Sequence, residues 1–236
     1  MLFLLQAPTS PQKAHCEQMD KSSSQDEVPK ESSLNKGSDE KLALILNQME
    51  SAYEKMEDYE AEFKQESKTK TLQRRKKSMG RLYFKKPDKM RWSYLEPEPR
   101  DIYLTGKEMM IYLPLRNTVI KQSLKDVLPG TAPAQLFMGG ATLKKTFEIT
   151  LANPDLQKEG SYCLKLIPKK KGKMSVEEIL LWIGTKDYLP RKSESSDILG
   201  NITKLYFFKG KTNVKLDKGI FEFKPPPDTE IVENTF

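Results

Sequence analysis

Hydrophobic residues recur at helical spacing between residues 42 and 56. The recurring positions are Leu42, Ile45, Met49, Ala52, Tyr53 and Met56. Steps of three and four residues place side chains on one face of an α-helix, so the spacing predicts one amphipathic helix over residues 39–58. Ser38 and Asp39 are candidate N-cap residues, and Glu40 puts negative charge near the positive end of the helix dipole.

After this helix the spacing changes to two, which is typical of β-strands with one buried face. The clearest alternating segments are residues 59–64, 90–94, 147–151 and 221–223. Further strands are predicted at residues 80–85, 102–104, 109–112, 117–121, 162–167, 176–183, 190–197 and 202–208. Turn-forming Gly, Pro, Asn and Asp residues lie between many of these segments. About ten to twelve short strands predict a large antiparallel sheet, a barrel or a sandwich.

One segment, residues 122–140, interrupts the alternation. It is rich in Ala, Leu, Met, Gly and Pro. Pro129-Gly130 divides it and Gly139-Gly140 ends it, so we predict short helices inserted in the middle of a sheet protein. These helices either cover an open face of the sheet and enclose a hydrophobic cavity, or fill an ordinary core.

The first 38 residues differ in composition from the rest. Residues 6–38 are mostly polar with very few aliphatic side chains, so we expect a disordered segment over 1–38 and one domain over 39–236. Residues 1–5 are apolar but shorter than the ~7–15-residue core of a signal peptide. They are either the remnant of an export signal or a start-site artefact. Lys13 and His15 break the pattern of a bacterial lipidation site, which favours an unmodified Cys16 over a lipidated one.

The composition excludes most catalytic classes. One His and two Cys among 236 residues leave no His-based triad, His-based metal site, disulfide scaffold or four-Cys zinc site. The sequence contains no nucleophile elbow, phosphate-binding loop or zinc-protease motif. Cys163 lies in a predicted strand and is expected to behave as a small hydrophobe. We therefore expect a protein that is not an enzyme and uses no metal and no cofactor.

The net charge of +7 is concentrated in a few basic clusters. They include Lys68, Lys70 and residues 74–77, 85–86 and 169–173, which we expect in turns. Three interpretations are open: a solvated surface that also attracts anionic lipid headgroups, a site for an acidic protein, or a nucleic-acid site. No recognition-helix pattern or aromatic RNA-binding consensus accompanies the clusters, which disfavours nucleic acid. A mean hydropathy of −0.65 and the lack of an apolar run near ~20 residues predict no membrane-spanning helix.

Several motifs follow one another in a fixed order. Residues 80–94 read GRLYFKKPDKMRWSY, in which a basic-Pro turn leads into an aromatic-rich strand, and residues 164–169 read LKLIPK. The pattern continues with Asp197, Gly200, Asn201, Thr203, Asn213, Leu216, Phe221, Phe223, Pro225 and Pro226. From about residue 40 to the C-terminus, the order and spacing of these motifs closely resemble the outer-membrane lipoprotein carrier protein family (LolA-like).

This resemblance implies an α+β fold. The family fold is an incomplete, strongly curved antiparallel β-barrel, in which an N-terminal helix and short lid helices cover a hydrophobic cavity. Its members bind the acyl chains of lipoproteins, which they accept from an inner-membrane ABC transporter and pass to an outer-membrane acceptor. By this resemblance the chain would be a monomeric periplasmic chaperone with those partners, without a nucleic-acid partner or a stable membrane span.

The resemblance also implies which side chains line the cavity. Met90 and Trp92 match wall positions on the strand after the basic-Pro turn, and Ile102 matches a wall position on the next strand. The expected acyl-chain-binding set is Tyr53, Met56, Tyr59, Phe63, Met90, Trp92, Tyr94, Ile102, Leu104, Leu136, Phe137 and Met138.

One departure from the family pattern concerns Lys86. Several carriers have an Arg before the turn proline, here Pro87, and that Arg hydrogen-bonds the lid shut. Lysine lacks the planar, bidentate fork of arginine, so a lid latch at Lys86 would be weaker and would open more easily. The alternative is that Lys86 is an ordinary turn lysine and packing alone holds the lid.

Other functions remain open on the same fold. The chain could be a membrane-anchored lipoprotein acceptor or an envelope sensor that binds lipids or lipoproteins, and acylation of Cys16 would discriminate these from a shuttle. A hydrolase acting on an envelope lipid is disfavoured by the single His and the missing nucleophile motif.

Overall fold

A computed structural model describes residues 31–72, 74–106, 108–123, 137, 139–157, 160–170 and 176–234. Two α-helices lie in these segments, α1 (Glu31–Lys55) and α2 (Gly139–Thr146). The first strands are β1 (Asp58–Thr69), β2 (Arg74–Lys85), β3 (Lys89–Glu96), β4 (Arg100–Thr105), β5 (Glu108–Leu113) and β6 (Thr118–Ser123). The others are β7 (Phe147–Leu151), β8 (Ser161–Pro168), β9 (Val176–Gly184), β10 (Pro190–Asp197), β11 (Ile202–Thr212) and β12 (Glu230–Asn234).

The twelve described strands form one curved, open sheet. Their order is β12-β6-β5-β4-β3-β2-β1-β11-β10-β9-β8-β7, so β12 and β7 are its edges. Every neighbouring pair is antiparallel except β12 and β6, which are parallel. This architecture confirms the predicted fold class.

The sheet has two distinct faces. We call the face against which α1 packs the inner face, and the opposite one the outer face. Period-two alternation in the strands puts aromatic and aliphatic side chains on the inner face, where most of them are buried in one hydrophobic cluster. The register aligns them in cross-strand rows. One such row is Leu82, Trp92, Ile102 and Ile111.

Helix α1 is shifted from its prediction at both ends. It begins at Glu31 rather than at Asp39, so Ser38 and Asp39 lie inside the helix and do not cap it. It ends at Lys55, where the Asn213 side chain takes hydrogen bonds that would otherwise continue the helix. The Asn213 amide donates to the Lys55 carbonyl at 3.1 Å and accepts from the Glu57 amide at 2.8 Å. A partner 158 residues away in sequence therefore ends the helix, and local spacing contained no sign of it.

Helix α2 corrects the prediction for the inserted segment. The pair Gly139-Gly140, predicted to end the inserted segment, begins this helix. The Ala141 amide donates to the Glu50 carboxylate of α1 at 2.6 Å, which puts negative charge at the N-terminus of α2. Residues 124–136 and 138 of the insertion lie outside the described residues.

The predicted strand at residues 221–223 is wrong. Residues 218–221 form a 3-10 turn, which the Asp217 carboxylate caps by accepting from the Gly219 amide at 2.7 Å. Residues 213–229, here called the C-terminal strap, cross the outer face before β12. The strap buries Phe221, and it packs the Phe223 ring against two outer-face tyrosines with centroids 5.3 and 4.9 Å apart. Three consecutive prolines after Lys224 remove the amides that a sheet strand would need.

Asp58 ties the strap to the sheet. This buried carboxylate accepts from the Val214 and Leu216 amides, both at 2.8 Å. Lys85 assists by donating to the Leu216 carbonyl at 2.6 Å. The strap is therefore fixed at its start by charge-assisted hydrogen bonds.

The basic clusters are not all in turns. Residues 74–77 lie in the exposed end of β2, paired with β1, so the prediction of a turn there is wrong. Neither described helix is long and apolar enough to cross a membrane.

Candidate functional site

The centre of the inner face is aromatic. The Phe63 ring meets the rings of Trp92 and Tyr94 edge-on, each with a centroid separation of 4.9 Å. Gly80 makes room for it, because a Cβ there would lie 2.8 Å from the Phe63 ring. The three aromatic residues are buried and form part of the hydrophobic cluster.

Most polar atoms of these residues are satisfied internally. The Trp92 indole N–H donates to the Met90 sulfur at 3.0 Å, and the Tyr94 hydroxyl donates to the Gln65 side-chain oxygen at 2.8 Å. The Arg100 guanidinium lies 4.0 Å from the centroid of the Tyr94 ring. Burial raises the pKa of Tyr94, although Arg100 opposes the shift. The surface offered by these side chains is therefore almost entirely apolar.

Tyr59 is the exception. Its side chain is fully buried, with 0% exposure, and its hydroxyl has no hydrogen-bond partner in the described part of the chain. Its ring packs 5.3 Å from the ring of Phe137, and its hydroxyl lies over Gly210, where a Cβ would be only 2.6 Å away. Burial raises the pKa of Tyr59 to about 12. An unpaired buried donor of this kind is costly unless a ligand uses it.

The remaining predicted residues lie at the edges of the same cluster. Met56 and Leu104 are buried in it, and Ile102 packs against it. The half-buried Tyr53 ring lies 6.3 Å from the Phe84 ring. Leu136 and Met138 lie outside the described residues. All ten predicted residues that the structure describes thus belong to, or pack against, one apolar cluster.

Lys86 contacts the end of α1. Its ammonium donates to the Glu54 carbonyl at 2.8 Å and lies 4.7 Å from the centroid of the Tyr53 ring. A cation at the last turn of a helix binds otherwise unpaired carbonyls and the negative end of the dipole. Lys86 therefore links the β2–β3 turn to a helix that covers the inner face.

A groove of about 270 Å³ runs beside the C-terminal half of α1. Its floor includes Met56 and Leu189, which belong to the buried cluster, and its rim carries Lys55, Lys186 and Asp187. The groove is a point at which solvent approaches the buried inner face.

Comparison with known proteins decides the family. The family described as "Outer membrane lipoprotein carrier protein LolA" matches residues 54–224, which include β1 to β11 and most of the strap. The chain belongs to this family. It is 30% identical to the outer-membrane lipoprotein carrier protein of Alkalilimnicola ehrlichii over 183 residues, which cover 77% of this chain and 80% of that relative. It is also 30% identical to the carrier protein of Methylococcus capsulatus over 176 residues, 74% of this chain and 81% of the relative.

Solved structures agree on the fold of this family member. An uncharacterised conserved protein from Thermus thermophilus superposes with a TM-score of 0.52 at 17% identity, covering 82% of this chain and 99% of that one. MucB superposes with a TM-score of 0.52 at 12% identity, covering 82% of this chain and 66% of that one.

The LolA-like motifs identified only part of the inner face. The other half of the sheet contributes buried side chains that were not assigned to the cavity wall, even where they belong to the 164–169 motif, namely Leu164, Leu166, Ile179, Leu181, Ile183, Leu205 and Phe207. The signal that would have found them is period-two alternation within the predicted strands. Alternation gives no signal for Glu50 or Asn213. Asn213 is a position of the family motif, but its role and that of Glu50 depend on residues distant in sequence.

The described residues contain little catalytic chemistry. They include no group of three or more His, Cys, Asp or Glu side chains suited to hold a metal ion. Cys163 is buried, and burial raises the pKa of its thiol to about 11, so it stays protonated at neutral pH.

Proposed function

We propose that this protein is a periplasmic lipoprotein carrier that holds the acyl chains of its cargo against the inner face of the sheet. The observation that carries the proposal is the inner face itself, a continuous apolar and aromatic surface covered by α1 and α2. Membership of the carrier family supports the same function. The donor would be an inner-membrane ABC transporter, and the recipient an outer-membrane acceptor.

The physical need for such a face follows from the hydrophobic effect. Burial of one methylene contributes ~0.8 kcal/mol, so a ~16-carbon chain gains on the order of 10 kcal/mol when it leaves water. Methionine and aromatic side chains adapt to chains without fixed shape better than a hydrogen-bonding pocket does. Met56, Met90 and Met109 are buried members of the cluster and supply that adaptability.

Cargo binding requires the cover to move. The inner-face residues are buried against one another and against α1, so an acyl chain reaches them only when the helices shift away. Among the described residues, three hydrogen bonds hold α1 in place: Lys86 to the Glu54 carbonyl, Asn213 to the Lys55 carbonyl and the Ala141 amide to Glu50. The Lys41 ammonium also lies 5.5 Å from the centroid of the Tyr162 ring. We assign Lys86 the role of a latch that acts on α1.

Tyr59 gives the inner face one polar anchor. Its buried hydroxyl has no protein partner in the described residues, and an ester or amide carbonyl at the head of an acyl chain is an acceptor of suitable size. The carrier then supplies no energy of its own, because the sequence contains no nucleotide-binding motif. Release from the inner membrane depends on the transporter.

Site-specific photo-cross-linking tests this proposal. Phe63 is replaced by p-benzoylphenylalanine, which preserves an aromatic side chain on the inner face, and the protein is irradiated with a purified triacylated lipoprotein. We expect a covalent adduct with the acylated lipoprotein and none with a form whose acylated cysteine has been removed.

The matched control is Phe223 replaced by the same amino acid, because Phe223 packs on the outer face. Phe223 should give no acyl-dependent adduct. Equal adducts from both positions, or an adduct at Phe63 that does not depend on acylation, would contradict binding of acyl chains at the inner face.

A further inference from the structure

Two hairpin tips lie side by side at one end of the sheet. They are residues 70–72, between β1 and β2, and residues 198–200, between β10 and β11; we call them the paired tips. Strands β1 and β11 remain paired up to Lys68 and Ile202. Beyond that point the Lys70 amide donates to the Asn201 side-chain oxygen at 3.0 Å. The tips therefore form one surface.

The paired tips expose large aliphatic side chains. Leu72 is 71% exposed, Ile198 is 73% exposed and Leu199 is 66% exposed. These are three of the four most exposed large hydrophobic residues in the described part of the chain. They touch no core, so packing within the fold does not explain them.

The β10–β11 tip is rigid. The Asp197 carboxylate accepts from the Leu199 amide at 2.9 Å and from the Asn201 amide at 2.8 Å. Gly200 adopts a φ of 75°, in the left-handed region that favours glycine, and its amide donates to the Asp197 carbonyl. Three consecutive amides of the turn, those of Leu199, Gly200 and Asn201, are thus hydrogen-bonded internally, which lowers the cost of bringing Ile198 and Leu199 to an apolar phase.

Positive charge surrounds these aliphatic residues. Lys68, Lys70, Arg74 and Arg75 are exposed, and none of them forms an ion pair with another described residue. Two of the nearby acidic groups are already engaged, since Glu66 pairs with Lys64 at 2.8 Å and Asp197 is used by its own turn, whereas Glu177 is exposed at the same end of the sheet. Lys169 and Lys170, two exposed residues that follow β8, lie at the same end of the sheet, because Leu166 pairs with Ile179 and Val176 pairs with Asp197.

We propose that the paired tips dock on the surface of an anionic phospholipid bilayer. Aliphatic side chains flanked by basic ones match an interface in which the former enter the headgroup–acyl boundary and the latter bind lipid phosphates. A nucleic acid would account for the charge but not for the aliphatic residues. The position of these residues on two adjacent hairpin tips, rather than in a groove, favours a bilayer over an acidic protein. The groove beside α1 lies at the opposite end of the sheet and would face the aqueous side in a docked molecule.

Sedimentation with vesicles tests this proposal without any lipoprotein present, so its failure is distinguishable from failure of the carrier function. Vesicles of equal parts phosphatidylethanolamine and phosphatidylglycerol are compared with phosphatidylcholine vesicles. We expect the parent protein to bind the anionic vesicles, with binding that falls as salt is raised. The triple variant Leu72→Ser, Ile198→Ser, Leu199→Ser should lose about tenfold or more in partitioning.

Matched controls separate the two contributions. Leu44→Ser removes an exposed leucine from α1 and should bind as the parent does. Arg74→Gln with Arg75→Gln should weaken binding severalfold, whereas Lys215→Gln with Lys218→Gln, an equal charge change on the strap, should not. All these positions are exposed, so the variants should fold.

Tryptophan fluorescence tests insertion of the paired tips into the bilayer separately from binding. Leu72→Trp should show a blue-shifted emission on anionic vesicles, and Leu44→Trp should not. The proposal is overturned if the parent protein does not bind anionic vesicles or if the triple variant binds them as the parent does. It is also overturned if only the arginine variant loses binding, which would indicate a site for a dissolved anion or an acidic protein.

Discussion

Tyr59 combines an apolar ring that packs on Phe137 with a hydroxyl that has no partner in the described residues. A buried, unpaired hydroxyl lowers the stability of the empty protein. Tyr59→Phe should therefore keep or raise the free energy of unfolding, by up to about 1 kcal/mol, in a denaturant titration. It should also weaken the acylated complex if the hydroxyl binds a carbonyl of the cargo. A loss of stability above about 1 kcal/mol would mean that the hydroxyl has a protein partner.

The pKa of Tyr59 makes stability fall at high pH. Burial raises this pKa from 10.0 to about 12, so between these values the unfolded chain has released a proton that the folded protein retains. This titration leaves the free energy of unfolding unchanged below pH 10. It lowers that free energy as the pH rises, by about 2 to 3 kcal/mol at pH 12. We expect the unfolding free energy of Tyr59→Phe to decline less steeply over this window than that of the parent. Identical slopes would contradict the burial of this hydroxyl.

At this scale the sequence predicted the identity of the inner-face residues better than their polar contacts. Alternation and family motifs pointed to Phe63, Trp92 and Tyr94, and the structure places them in one aromatic cluster. The missing partner of Tyr59 could not be predicted, because it depends on Gly210 and Phe137, which approach only in the fold.

At the scale of elements, Lys86 couples the β2–β3 turn to the last turn of α1. Lys86→Met keeps the aliphatic stem but removes the hydrogen bond to the Glu54 carbonyl and the contact with the Tyr53 ring. The free energy of unfolding should fall by about 1 kcal/mol, and amide exchange in the last turn of α1 should quicken. Lys89→Met is the control, a second lysine beside the same turn. Equal exchange in parent and Lys86→Met would show that the lysine does not hold the helix.

Some boundaries of the helices and strands could not be predicted from the sequence. Strands were recognised because burial on one face imposes a period of two. The end of α1 at Lys55 and the start of α2 at Gly139 depend on Asn213 and Glu50, which are distant in sequence. Residues 221–223 alternate like a strand, yet Phe221 and Phe223 pack on the outer face as part of the strap. Alternation alone cannot distinguish a strand from a strap that packs two rings, one buried and one half-buried, on the sheet.

At the scale of the whole molecule, the sheet separates three surfaces. The inner face is apolar and covered, the outer face is braced by the C-terminal strap, and the paired tips expose aliphatic and basic side chains. A carrier needs the apolar inner face to bind its cargo and an outer face that is stable in water. The third surface would bring the carrier to a membrane without a spanning segment.

A lipoprotein carrier must extract an acylated lipoprotein from the membrane and hold it in water. Membrane vesicles that contain the inner-membrane transporter and a lipoprotein are incubated with the protein and ATP, and the soluble fraction is examined by native mass spectrometry. We expect a soluble complex of one molecule of this protein with one acylated lipoprotein, and little complex with Trp92→Glu, which places a charge on the inner face. No soluble complex with the folded parent protein and an active transporter would contradict this expectation.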